Sequence, residues 1–274
     1  MTVGARLAGF FAGLAVVFGL AVAVGNAVGP TNRAAKQKQD MHGMSGSEMA
    51  PQGLAVANDH YRLEADTAGF TPGVEQTFRF RIVDKDGHAV RDFDIEHTKK
   101  LHLIVVRRDL TRYQHVHPVE QADGSWTVPL RFRDPGTYRV FADFTPSGGD
   151  RTTLGTDLTV PGAASAEPLP APATTASADG YDVAISAKDG ELDFAVTRDG
   201  APVKVEPYLG ADGHLVVLRE GDLAYLHAHP EEKAGSGGPI RFEVDYPSAG
   251  SYRMFLQFKH EGRVHTVAFT QEAK

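Results

Sequence analysis

Six histidines, in two sets of three, carry the strongest chemical signal in this chain. Residues 102–118 read HLIVVRRDLTRYQHVHP and residues 214–230 read HLVVLREGDLAYLHAHP. Each stretch begins with a histidine (His102, His214) and closes on His-x-His-Pro (His115 and His117; His227 and His229). Neutral imidazole nitrogens are borderline donors that suit Zn(II), Cu(II) or Ni(II), and three of them leave a fourth coordination position open. The seventeen aligned positions share His, Leu, Val, Arg, Tyr, His, His and Pro, and all three histidines survive. Histidine has no special strand propensity that would preserve it by default. Its retention in both copies points to a need for imidazole.

The elements that position these side chains follow from the pattern. If RRDLTR and REGDLA are turns, the flanking runs pair as antiparallel hairpins, with His102 opposite His117 and His214 opposite His229. Residues i and i+2 of a strand share a face, as do directly opposed residues, so each triad projects from one side of its hairpin. The expectation is two ions, one per hairpin. Histidines satisfied by backbone carbonyls, or by Tyr113 and Tyr225, are the structural alternative. Glu96 and His97 in the first copy, and His260 and His265 in the second, are possible extra ligands, but they are not shared between copies and read as surface or turn residues. His60 and His88 read as solvated.

Around the hairpins, short alternating runs such as QTFRFRIVDKDGHAV and ELDFAVTRDGAPV are bounded by turn residues, the signature of strands. PGTYRVFADF and AGSYRMFLQF match at a shift of 114, close to the 112 of the histidine stretches, so the body is a duplicated module. The expected fold is all-β: two tandem immunoglobulin/fibronectin-like antiparallel β-sandwich domains, residues 54–160 and 181–272. Between them, residues 161–180 are rich in Pro, Ala, Ser and Thr and read as an extended linker. Residues 1–29 read as a transmembrane anchor or signal peptide. From Ala8 to Gly29 no residue is charged, and as a helix this run spans about 33 Å, enough to cross a bilayer. The expectation is a single-pass cell-membrane protein with its body outside the cytoplasm, or a secreted one if the leader is cleaved. Residues 30–53 read as a flexible tether in which Met41, His42, Met44 and Met49 form a weaker soft-ligand cluster suited to copper.

Composition excludes other classes. A net charge of -7 with no basic stripe argues against nucleic acid as a partner. The chain has no cysteine, so disulfides, thiolate metal sites and blue-copper electron transfer are ruled out. No nucleophile elbow, His-Glu-x-x-His motif or phosphate loop is present, and Glu96, Glu120 and Glu231, the candidate general acids or bases, do not recur across the repeat. The chain does not read as an enzyme, although a zinc-dependent hydrolase remains an alternative on the three-histidine pattern.

The stretches HLIVVRRDLTRYQHVHP with GTYRVFADFTPSGG, and PYLGADGHLVVLREGDLAYLHAHP, resemble a group of exported actinobacterial proteins described as secreted or heavy-metal-associated. That resemblance covers most of residues 54–271 and implies a membrane-anchored or secreted histidine-rich sandwich tied to copper handling. The expected function is transition-metal binding, with copper or zinc as the ion, for buffering, trafficking or resistance. The alternative is an exported structural or protein-interaction module without metal.

Overall fold

The structure is a computed structural model that describes residues 51–66, 69–188, 191–226, 228–230 and 238–274, with Lys188 and His229 described by backbone only. The expected membrane segment, and Met41, His42, Met44 and Met49, lie outside the described residues. Among the described residues no helix is long and apolar enough to cross a membrane.

The fold is all-β, two tandem antiparallel sandwiches of the immunoglobulin/fibronectin kind. In the first, strands β1 (Tyr61–Ala65), β2 (Glu75–Asp84), β6 (Trp126–Arg131) and β5 (Val119–Glu120) form one sheet in the order β1-β2-β6-β5. Strands β4 (Gln114–Val116), β3 (Leu101–Arg107), β7 (Gly136–Phe144) and β8 (Thr152–Val160) form the other, ordered β4-β3-β7-β8. The second sandwich repeats the plan. Its β14 (Tyr225–Leu226), β13 (His214–Arg219), β17 (Gly250–His260) and β18 (Arg263–Ala273) pair in the order β14-β13-β17-β18. Its other sheet runs β15 (Ala228–Pro230), β16 (Ile240–Val244), β11 (Glu191–Arg198), β10 (Tyr181–Lys188) and β9 (Thr175–Ala178), with β12 (Ala201–Pro202) added to β11.

The burial pattern of the strands reports how the layers stack. Strands β2 and β11 alternate between buried and exposed residues, as expected where one face meets a core and the other meets water. Strand β3 is buried at every position and β13 at all but the last. Their odd and even residues serve different cores. Leu101, Leu103 and Val105 fill the first sandwich, and Leu215 and Val217 the second. Ile104, Val106 and Phe141 from the outer face of the first sandwich pack instead on Val216, Leu218 and Phe255 from the outer face of the second. The result is four stacked layers whose central contact joins β3 and β7 to β13 and β17.

This central contact follows the duplication. Tyr113 stacks on Phe255 with ring centroids 4.1 Å apart, and its counterpart Tyr225 meets Phe141, the counterpart of Phe255, at 5.5 Å. Such reciprocal pairing is how an isologous dimer interface is built, here within one chain. Two leucines reinforce it. Leu110 and Leu223 hold φ of 63° and 62°, an uncommon conformation for a non-glycine residue, and both side chains are buried in the shared cluster. Beside each, an aspartate clamps the last arginine of the preceding strand in a two-pronged contact, Asp109 with Arg107 and Asp222 with Arg219.

The segment expected to be an extended linker has fixed contacts at both ends. Thr175–Ala178 form β9, paired with β10 in the second sandwich. Upstream, Glu167 accepts hydrogen bonds from Arg107 (3.1 Å) and Arg112 (2.6 Å), and Leu169 packs against the shared cluster. Composition flagged the Pro, Ala, Ser and Thr richness of residues 161–180 but not the charged partners waiting on the first sandwich. At the other end, Gly53 crosses the interface edge, where its carbonyl oxygen lies so near Gly155 that a Cβ there would sit 2.2 Å from it.

Because Phe141 fills the contact between the sandwiches, Phe141→Ala is expected to lower unfolding free energy by about 3–5 kcal/mol. Urea denaturation followed by tryptophan fluorescence checks this, and a loss below about 1 kcal/mol would mean that the outer faces are not packed together.

Candidate metal centre

The first histidine triad lies on this central face. Strands β3 and β4 pair with Leu103 opposite Val116 and Ile104 opposite His115, the register expected from the turn position. His102, Ile104 and His115 therefore share the outer face, and the pairing brings His117 up beside them. His102 Nδ1 stands 3.0 Å from His115 Nε2 and 3.2 Å from His117 Nε2. Each of the three residues offers a ring nitrogen within 4.8 Å of the other two. Pro118, which has no N–H for a ladder bond, follows where the chain leaves β4 for β5 in the opposite sheet.

Partners on the far side of two rings decide their tautomers. His102 Nε2–H donates to the Glu96 carbonyl oxygen at 3.0 Å, and His115 Nδ1–H donates to Gln257 Oε1 at 2.6 Å. The Gln257 amide is itself oriented by donation to Thr266 Oγ1 at 3.2 Å. The Glu96 carbonyl can only accept, so in neutral His102 the Nδ1 that faces the cluster is a lone pair. Burial pushes the His115 imidazole down to about 3, helped by His102, and the His117 imidazole down to about 4, helped by His102 and Lys99. His102 is lowered by burial as well, partly offset by Asp143. Near neutral pH the cluster is a group of uncharged bases turned toward one another.

His214, the second copy's counterpart of His102, faces this same cluster. Its ring lies 4.6 Å from that of His115 and stacks on that of His102 at 5.4 Å with a 27° tilt. His214 is buried, its Nδ1 has no hydrogen-bond partner, and burial together with the neighbouring histidines holds its imidazole well below the ordinary value. His227 and the side chain of His229 lie outside the described residues, but the His229 backbone pairs with Glu243 of β16 in the other sheet, so His229 does not stand opposite His214 in the expected hairpin. His260 and His265 stand elsewhere: both rings meet Tyr181, and His265 Nδ1 lies 3.1 Å from an Asp179 carboxylate oxygen. Tyr113 and Tyr225 serve the aromatic pairs of the interface. Asp84, Asp86 and His88 also bring ligand atoms within 4.8 Å, in a solvated turn where Asp84 already accepts from the backbone of Asp86 and His88.

Sequence reasoning missed or set aside three participants. Gln257 stands opposite His214 in the β13–β17 ladder, just as Asp143 stands opposite His102 in β3–β7. The buried Asp143 carboxylate is clamped by Arg151 at 3.1 and 2.5 Å and accepts from Thr153 at 3.1 Å. His97, read as a turn residue, does lie in a turn, between the paired Glu96 and Lys99, yet its ring is 5.5 Å from His214 and 6.2 Å from His102. Both central residues of that turn, His97 and Thr98, have positive φ (47° and 67°), which a two-residue hairpin loop usually assigns to Asn and Gly. Non-glycine residues in this region cost of order 1–3 kcal/mol each, and such strain gathers at functional sites. The one sequence signal for the shared site was the unbroken apolar run after His102 and after His214, which alternates nowhere and so demands burial on both faces.

The chain belongs to the family described as Domain of unknown function (DUF8832), whose model matches twice, at residues 55–162 and 175–274. No curated protein matches it. Among solved structures, a two-domain fibronectin type-III segment of chicken tenascin is similar at 11% identity and TM-score 0.25, over 78% of this chain and 100% of that one. A mutant alpha-2-macroglobulin from Salmonella is similar at 16% identity and TM-score 0.28, over 84% of this chain and 15% of its own. A putative membrane anchored protein from Corynebacterium diphtheriae is similar at 10% identity and TM-score 0.24, over 78% of this chain and 59% of its own.

All the shifts in the cluster are downward. Between the folded values, about 3 for His115 and about 4 for His117, and the ordinary value of 6.5, the unfolded chain binds more protons than the folded one. Chelator-treated protein is therefore expected to lose stability as pH falls from 7 to 5, and a His115→Gln, His117→Gln variant to lose less. Urea titrations at the two pH values provide the comparison, and equal acid sensitivity in variant and parent would contradict the neutral, buried assignment.

Proposed function

We propose that this member of the DUF8832 family is an extracytoplasmic binder of a transition metal, copper or zinc, at the cluster of His102, His115 and His117. The observation that carries the reading is the convergence of three ring nitrogens, with His102 Nδ1 3.0 Å from His115 Nε2 and 3.2 Å from His117 Nε2. Burial keeps these imidazoles uncharged near neutral pH, so they can ligate an ion without first losing a proton. An ion with bonds of ~2.0–2.1 Å at tetrahedral angles sets its nitrogens ~3.3 Å apart. The 3.0 and 3.2 Å separations at His102 are close to that edge length. Glu96 and Gln257 supply what ligating histidines ordinarily require, an acceptor that fixes the tautomer and orients the ring. The donor set has no thiolate and no carboxylate, which favours Cu(II) or Zn(II) over hard cations.

The reading is of a binder rather than a catalyst. Glu120, the nearest downstream acid in the sequence, is engaged by Arg91 at 3.1 Å and Lys100 at 3.0 Å and is not free to act as a general base. Anchoring at the outer face of a membrane is part of the proposal and rests on the uncharged run from Ala8 to Gly29. Met41, His42, Met44 and Met49 on the following tether are candidates for passing a soft ion along. A second reading, an exported interaction module without metal, is favoured by the sandwich architecture itself, because sandwiches of this kind serve many unrelated roles.

Dialysed protein loaded with Cu(II) or Zn(II) is expected to retain at least one equivalent by elemental analysis. The His115→Ala, His117→Ala double variant is expected to bind the ion at the first-sandwich site at least about 100-fold more weakly, as loss of two ligands implies. If the parent protein retains neither ion, the interaction-module reading takes its place.

A further inference from the structure

We infer that the ion held by His102, His115 and His117 takes its fourth imidazole from His214 of the second sandwich, so that loading ties the two copies together. The inference rests on the metal-binding reading above and adds the ligand and the mechanical consequence that reading leaves open.

Ring spacing is the first argument. An imidazole bound at ~2.0–2.1 Å has its centroid ~3.2 Å from the ion, so two rings at a tetrahedral angle stand ~5.2 Å apart. Within the triad the centroids are 5.3, 5.0 and 4.8 Å apart. His214 continues the same spacing, 5.4 Å from His102 and 4.6 Å from His115. A second, independent observation is the state of His214 itself: only 8% exposed, with Nδ1 buried and unpartnered. Buried polar nitrogens are almost always satisfied, so an orphan at this position marks a missing partner. The three nitrogens already within 4.8 Å of one another belong to the triad, so His214 stands beside the cluster and brings its nitrogen to the ion on loading.

The second sandwich contributes a positioning residue as well. Gln257 from β17 accepts the His115 Nδ1–H, which leaves His115 Nε2 as the ligating lone pair. A complete site then needs both sandwiches docked. By linkage, an ion that binds only the docked arrangement stabilises the docked arrangement. Duplication accounts for the geometry: His102 and His214 are equivalent residues, and equivalent residues meet where a two-fold relation passes through an interface.

Full-length protein with one equivalent of Cu(II) tests this by electron paramagnetic resonance, in which nitrogen couplings count the bound imidazoles. Four nitrogens are expected in the parent and three in His214→Phe, with affinity at least tenfold lower, while His97→Phe keeps all four. His214→Gln, with near-UV circular dichroism to show that the fold is kept, provides the same comparison if the phenylalanine is not tolerated. A parent spectrum with three imidazole nitrogens, or unchanged count and affinity in the folded His214 variant, overturns the shared site and leaves the triad reading intact. Loss of a nitrogen in His97→Phe but not in the His214 variants would assign the fourth position to the strained turn and also overturn it. No copper or zinc on the parent protein removes both proposals together.

Discussion

The contact between the outer faces of β3 and β7 and those of β13 and β17 governs the rest of the structure. Ile104, Val106 and Phe141 on one side and Val216, Leu218 and Phe255 on the other remove from water a surface that an isolated sandwich would expose. The histidines lie at the end of that surface. Their low basicity, the hydrogen bond from His115 to Gln257 and the approach of His214 all arise because two sandwiches close over them. A hairpin with the same residues on a solvated face would carry three ordinary imidazoles.

Duplication explains why this contact is reciprocal, and divergence explains why it is not symmetric. Tyr113 with Phe255 and Tyr225 with Phe141 are the same pair made twice. The turns reach one end by different spacing: Asp-Leu falls at Asp109–Leu110 in one copy and one step later, at Asp222–Leu223, in the other. Both still clamp the preceding arginine and plug a leucine into the interface. Opposite the leading histidine the copies part. Asp143 is a carboxylate neutralised by Arg151, whereas Gln257 is a neutral amide hydrogen-bonded to the His115 ring. A neutral acceptor orients the ring without adding charge beside the cluster.

The metal-binding proposal rests on the chemistry of the donor set rather than on resemblance to a known site. Uncharged nitrogens are held against each other in a buried position, and the turn carrying His97 and Thr98 is held in a costly conformation beside them. Packing provides the energy for both.

How much was legible in the sequence depended on range. Alternation with turn residues specified strands, the internal repeat specified two sandwiches, and the symmetric turn specified which residues of the first hairpin share a face, because all three rest on local periodicity. Retention of His102 and His214 marked them as necessary without saying to what. Gln257 could not be read, since glutamine at an even strand position is indistinguishable from any solvated polar residue until another sheet covers it. The contacts of the linker were unreadable for the same reason, because the charges that meet Glu167 are about sixty residues away. Local pattern thus determined strands, duplication and the first triad. The approach of His214 and Gln257 to that triad was decided only by the docking of two apolar faces, a contact between residues more than a hundred positions apart that no periodicity encodes.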